Sequence, residues 1–447
     1  MAKYLINANI FFWQVAILFQ DPISLNDPGR NTTQGPGDAR KVEQDNAKRF
    51  AVQISEDHGR IYEHVMHKFA FFILALPLLA CSDDRYTVHF DDSLETVTVE
   101  ACFEGPAPAT LYRNSQSEKF TAWVRTAEKI LDQNSNSGRL ELPQLPDNAC
   151  VTWQVQLGKA LAADDYRLAL QLGPDVLSSG DLWFWRDGEK RSVTVEMQLP
   201  DGMSVSTPWK QLPGPPGTWM FRPDPTPWNW TSRIAIGTFE VWPIFAGGTE
   251  LRIAIPGNVG KQRQMKLRAW MQDSAEAVSG VFGYFPRSSP QILIVPIGSQ
   301  NDVVPWAHVI RGGGVAAEFF VDETRPLEQL SEDWTATHEL SHMLLPYVAR
   351  RDRWLSEGVA TYYQNILRAR DGRLSEQQAW QRLYAGFERG RAETRKETLA
   401  EAARSGHRSI MRIYWSGAAI MLQADTELRL ISNGRQSLDT ALAGLRE

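Results

Sequence analysis

Two textures follow one another along the chain. Between about 86 and 257, short blocks alternate apolar with polar residues or run apolar throughout: 97–100 (VTVE), 151–157 (VTWQVQL), 166–172, 191–199, 232–242 and 250–255. Pro, Gly and Asn–Asp turns separate them, a pattern that predicts strands, and several short strands at this spacing predict a β-sandwich. The Pro-rich stretch 212–230 reads as a long ordered loop pinned by aromatic residues, because proline cannot donate to a ladder. Near 258 the period lengthens. Leu267, Trp270, Met271, Val278, Val281 and Phe282 fall at helical spacing and Pro286 follows them, which predicts a core helix. A short apolar strand is expected over 290–298 and an edge strand interrupted by glycines over 308–322. Helices are then predicted over 331–345, 354–370, 375–389 and 410–431, the third opened by a capping box of Ser375 and Gln378. The order predicts two domains, a β-sandwich over 82–257 and a mainly helical domain with a small edge sheet over 258–447.

Composition changes this picture little. In 447 residues, 43% apolar content and 16 tryptophans describe a packed globular protein, and a net charge of −6 leaves no basic footprint for nucleic acid. The N-terminal region adds a location. Residues 66–81 (MHKFAFFILALPLLAC) combine a basic start, an apolar run too short to span a bilayer, and a small residue before a cysteine, which is the layout of a secretory signal. This segment resembles bacterial lipoprotein signals. The resemblance implies that Cys81 carries lipid and becomes the mature N-terminus, that the membrane is a partner through that anchor, and that the protein faces the periplasm from the outer membrane of a bacterial cell envelope. Residues 1–65 would then precede the true start at Met66. Cys102 and Cys150 remain as a possible disulfide outside the cytoplasm, or as two free thiols.

The chemistry is concentrated in TATHELSHMLLP (335–346). His338 and His342 are four apart on a predicted helix, so both imidazoles project from one face, one turn apart. That separation suits two ligands of a single zinc ion. Glu339, about 100° further round the helix, is placed to activate a water on the metal. The next helix, WLSEGVATYY (354–363), offers Glu357. A short connection makes neighbouring helices antiparallel, bringing Glu357 opposite the histidine face. Two His, one Glu and an open fourth position form a catalytic arrangement, with one Zn2+ per chain.

HELSH followed by WLSEGVATYY resembles the gluzincin metallopeptidases, whose helices read HExxH and then WLxEGxA. Within them the glycyl aminopeptidase family is most similar, through LPDGMSVSTPWKQL (199–212) and YWSGAAIMLQADTELR (414–429). The likeness spans roughly 90–447. It implies a thermolysin-like second domain and a peptide or protein substrate, hydrolysed with Glu339 as general base and Tyr414 as oxyanion donor. His407 competes for the donor role. A substrate would add as a strand along the edge near 311–320, at Gly313, Gly314 and Val315. Related aminopeptidases grip the substrate amine with a glutamate after their Gly-rich strand; in RGGGVAAEFF (311–320) Glu318 is displaced, so aminopeptidase-like and endopeptidase action both stay open. Two other classes compete: a catalytically inactive relative that binds envelope peptides, and a sandwich whose tryptophans stack on sugars.

Overall fold

The computed structural model describes residues 83–132, 138–188, 191–215, 217–393 and 397–445. The segments 1–65 and 66–81, with the expected lipidation at Cys81, lie outside them. The described chain is a mixed β and α protein with several sheets. Among the described residues no helix is long and apolar enough to cross a membrane.

The first sheet has seven strands in the order Lys210–Leu212, Trp219–Arg222, Val193–Gln198, Asp84–Phe90, Val97–Cys102, Cys150–Val155 and Thr121–Arg125. Trp219–Arg222 lies inside the stretch expected to be loop. Its four residues contain no proline, so it can pair antiparallel with Val193–Gln198. Cys102 and Cys150 face each other in adjacent strands and are joined by a disulfide. Closing a loop with a sequence separation of 48 contributes on the order of 4 kcal/mol.

A second sheet of four strands, Ser204–Ser206, Arg233–Gly237, Asp175–Ser179 and Ala169–Leu172, lies against the first. Its two central strands are buried at every position. The period of two explains why. Val176, Ile234 and Ile236 join the core shared with the seven-stranded sheet, whereas Leu177 and Ala235 join Leu293, Val295 and Phe320 in a second core. A sheet covered on both faces reads as an apolar run rather than an alternation. The expected strand 232–242 therefore divides: after Gly237 the chain leaves this sheet and enters another at Val241–Ala246.

That third sheet has the order Val241–Ala246, Thr249–Ala254, Gln291–Pro296, Ala316–Val321, Trp306–Ile310. It draws strands from both sides of residue 257. The expected edge strand 308–322 is a hairpin instead, Trp306–Ile310 running antiparallel to Ala316–Val321, with the glycines in the turn between them. Among the described residues the α-helices are α1 (Leu157–Ala162), α2 (Lys261–Ser279), α3 (Leu327–Glu332), α4 (Thr335–Ser341), α5 (Arg353–Arg370), α6 (Glu376–Ala392), α7 (Leu399–Arg404), α8 (Ile410–Ile431) and α9 (Leu438–Gly444). The helix expected over 331–345 is broken at Asp333. This residue is extended, at ψ 142°, and its carboxylate accepts the Thr335 N–H at 2.7 Å to start α4 anew.

Helices α5 and α8 cross at Gly358 and Gly417. A methyl group built on Gly358 would stand 2.6 Å from the Gly417 carbonyl carbon, closer than side chains approach. Glu357 precedes one glycine and Tyr414 lies one turn before the other, so this crossing sets their spacing. Gly358→Ala should force the helices apart and cost about 1–3 kcal/mol, the usual range for overpacking. Thermal denaturation checks this; an unchanged melting temperature would mean that the crossing yields freely.

Candidate metal centre

His338 and His342 project from the last turn of α4 and the single 3-10 turn that continues it. Their rings lie 4.9 Å apart at nearly a right angle. Each is oriented through Nδ1 by α5: His338 donates to Gln364 Oε1 at 2.7 Å, and His342 Nδ1 lies 2.9 Å from Ser356 Oγ. Because the Gln364 oxygen can only accept, His338 carries its proton on Nδ1 and turns the Nε2 lone pair inward. Both Nε2 atoms face one atom, Glu357 Oε2, at 3.5 and 3.4 Å.

These distances are a test of whether a cation fits. They are too long for hydrogen bonds, yet they match the edge of a tetrahedron, about 3.3 Å for ligands at 2.0–2.1 Å from zinc. Glu357 Oε2 is buried and makes no hydrogen bond, a costly state for a carboxylate oxygen unless a cation satisfies it. Burial alone would raise Glu357, but His342 and then His338 hold it well below the usual carboxylate range. Two imidazole nitrogens and one carboxylate oxygen, converging on one point, suit a divalent zinc ion.

Glu339 sits beside this triangle. Its carboxylate lies within 4.8 Å of the histidine donor atoms. Burial pushes it up to about 7, with the nearby Glu357 adding and His338 opposing. Tyr414 comes from α8, its ring 5.5 Å from that of His338. Burial, then the Glu357 and Glu339 carboxylates, push its hydroxyl well above the ordinary phenol range. Tyr414 therefore keeps its proton and can donate it in a hydrogen bond. It lines a cavity of about 340 Å3 with Trp334, Gln364 and Met411. The side chain of His407 lies outside the described residues.

The remaining expected site residues are placed elsewhere. Gly313, Gly314 and Val315 offer no free edge. Gly313 N–H donates to Thr226 Oγ1, its carbonyl accepts from Asp224, and the Val315 carbonyl accepts from Gln291. A methyl on Gly313 would stand 2.6 Å from the Trp209 indole nitrogen, and one on Gly314 would overlap the Pro208 carbonyl. These glycines let the turn approach the seven- and four-stranded region closely. Among the described residues the strand that ends this sheet next to the hairpin turn is Trp306–Ile310, with Val241–Ala246 at the opposite end.

Sequence reasoning missed Gln364, Ser356 and Arg311. Gln364 was marked only by its spacing, seven residues after Glu357 and so two turns along the same face. Arg311 Nη2 donates to the His342 carbonyl at 3.0 Å, tying the hairpin to the metal helix, and no sequence signal announced it.

No protein-family model matches the sequence, and no curated protein matches it either. Solved structures do. An aminopeptidase N family protein from Idiomarina loihiensis superposes with a TM-score of 0.63 at 16% identity, covering 81% of this chain and 69% of that one. Yeast LTA4 hydrolase in complex with bestatin gives 0.52 at 12% identity, covering 82% of this chain and 61% of the hydrolase. An M1 zinc metallopeptidase from Deinococcus radiodurans gives 0.50 at 15%, covering 82% and 86%. The chain thus spans less than two thirds of the yeast enzyme. Its fold is similar to that of these three structures.

Proposed function

We propose that this protein is a zinc-dependent metallopeptidase that hydrolyses peptide bonds, with one metal ion held by His338, His342 and Glu357. The observation that carries the reading is the convergence of both Nε2 atoms on the unbonded Glu357 oxygen, with Glu339 and Tyr414 on its flanks. When bound, the metal would polarise a carbonyl and acidify a water. The chain's own groups do the rest. Glu339, whose carboxylate lies beside both histidine donor atoms, accepts the proton of an attacking water and passes it to the leaving nitrogen. Tyr414 donates its hydroxyl to the oxyanion that develops on the peptide. The Trp306–Ile310 edge offers the backbone groups along which an extended peptide adds as a strand. The similar structures are peptidases or hydrolases by name and support this reading against that of an inactive relative.

The test is digestion of an unstructured protein by the zinc-loaded chain, with Tyr414→Phe as the informative variant. Losing one donor to the oxyanion should lower kcat about a hundredfold with little change in KM, because the bond matters mainly in the transition state. A variant as fast as the parent would move the donor role elsewhere, with His407→Ala as the next variant to measure. Membrane attachment through a lipid on Cys81 belongs to the same proposal, and the intact mass of membrane-extracted protein decides it.

A further inference from the structure

A second cavity of about 410 Å3 lies beside the Trp306–Ile310 edge of the five-stranded sheet. Its walls are aromatic and largely exposed. Tyr166 and Trp306 meet edge to face at 5.5 Å, and Trp230 and Tyr347 meet at 4.4 Å. Its floor is charged. Arg233, 4% exposed, donates from Nε to Glu318 at 3.1 Å and from Nη1 to the Arg167 carbonyl at 3.2 Å, while its buried Nη2 has no partner. Glu318, 1% exposed, is also 3.5 Å from His308 Nε2. Burial and then Arg233 lower His308 to about 4, so it stays neutral near pH 7 and adds no charge. Arg167, at the rim, is paired with Asp165.

Arg311 is the exception. It lines the same cavity, its Nη2 bonds only main-chain carbonyls of His342 and Leu345, and among the described residues no carboxylate pairs with it. The pairs Arg233–Glu318 and Arg167–Asp165 cancel, which leaves one uncompensated cation and the orphaned Arg233 Nη2 donor; His308 Nδ1 on the same lining is also without a partner. A carboxylate supplies what both lack, a single negative charge and acceptor lone pairs. We propose that this cavity is a subsite that holds a carboxylate of the peptide substrate between Arg233 and Arg311, with the aromatic walls covering the adjoining chain. The inference rests on the peptidase reading, since Arg311 links the cavity to the metal helix and the Trp306–Ile310 edge links it to the peptide.

An acidic side chain and a free C-terminus share this chemistry, so matched peptides separate them. The zinc-loaded full chain is given alanine-rich peptides with Glu or Gln at each position in turn, and with a free or amidated C-terminus. The kcat/KM ratio of acid to amide should reach at least about tenfold at one place, the effect of one charged hydrogen bond. An internal position identifies a side chain and the terminal pair a C-terminus. Arg311→Met should bring the ratio to near one, and Arg311→Lys should keep part of it. Each ratio is formed within one variant, so a general loss of activity does not imitate the effect. Peptides cleaved by the parent with a ratio near one throughout would overturn the subsite and leave the peptidase reading standing. If no peptide is cleaved, quenching of tryptophan fluorescence by the same pairs takes over. An acid-over-amide affinity gap removed by Arg311→Met then supports the subsite while the peptidase reading fails, and no gap overturns it.

Discussion

Glu339→Gln should leave zinc at one ion per chain and lower peptide turnover at least about a hundredfold, the usual range for a lost general base. The separation of the two effects comes from the geometry. Glu339 lies one residue round α4 from His338, while the position opposite both Nε2 atoms is already filled by the Glu357 carboxylate. The amide keeps the shape and hydrogen-bonding capacity of the side chain but has no basic oxygen. Metal analysis and turnover of one peptide, measured on the same preparation, decide the matter. A variant that loses zinc together with activity would make Glu339 a ligand, and one that loses neither would end the peptidase reading.

Glu357→Ala carries the other large effect, on the metal itself. This substitution removes one of the three proposed ligands, the carboxylate whose Oε2 lies 3.5 and 3.4 Å from the two imidazole Nε2 atoms. Dialysis against a mild chelator should strip the variant to near zero zinc while the parent keeps its ion. Gln364→Ala tests the layer behind. It removes the acceptor that fixes the His338 tautomer, and should weaken zinc affinity about 10–100-fold without abolishing it. If Glu357→Ala retained zinc as tightly as the parent, the ligand set would have to be sought elsewhere. Circular dichroism of the variant guards against simple unfolding, since Glu357 lies next to the tight crossing at Gly358.

What was legible without coordinates follows the range of the interactions. His338, Glu339 and His342 belong to one helical turn, and the geometry of a turn follows from the spacing of residues alone. Glu357 needed one further step, a short connection between two helices, and chain connectivity supplies it. Tyr414 was reached only through likeness to a family. Its arrival beside His338 depends on the Gly358–Gly417 crossing, which nothing in the local pattern predicts. The broken helix at Asp333 shows that even local reading fails where a capping side chain competes with helical periodicity.

The sequence by itself determined the strand-rich and helix-rich parts and the grouping of His338, Glu339, His342 and Glu357, because period, cap and short loop are properties of neighbouring residues. Only the tertiary structure decided which strand ends the sheet. Glycines 312–314 read as a place for a substrate, but a glycine looks the same whether it admits a ligand or another part of the chain. Here it admits Thr231, Pro208 and Trp209. Likewise the apolar runs 175–179 and 233–237 do not reveal that their alternate residues serve two cores, since burial on both faces erases the alternation that would orient them. Strand partners far apart in the chain are chosen by packing, and that choice brings Arg233 to Glu318 and leaves Arg311, among the described residues, with no carboxylate partner beside α4.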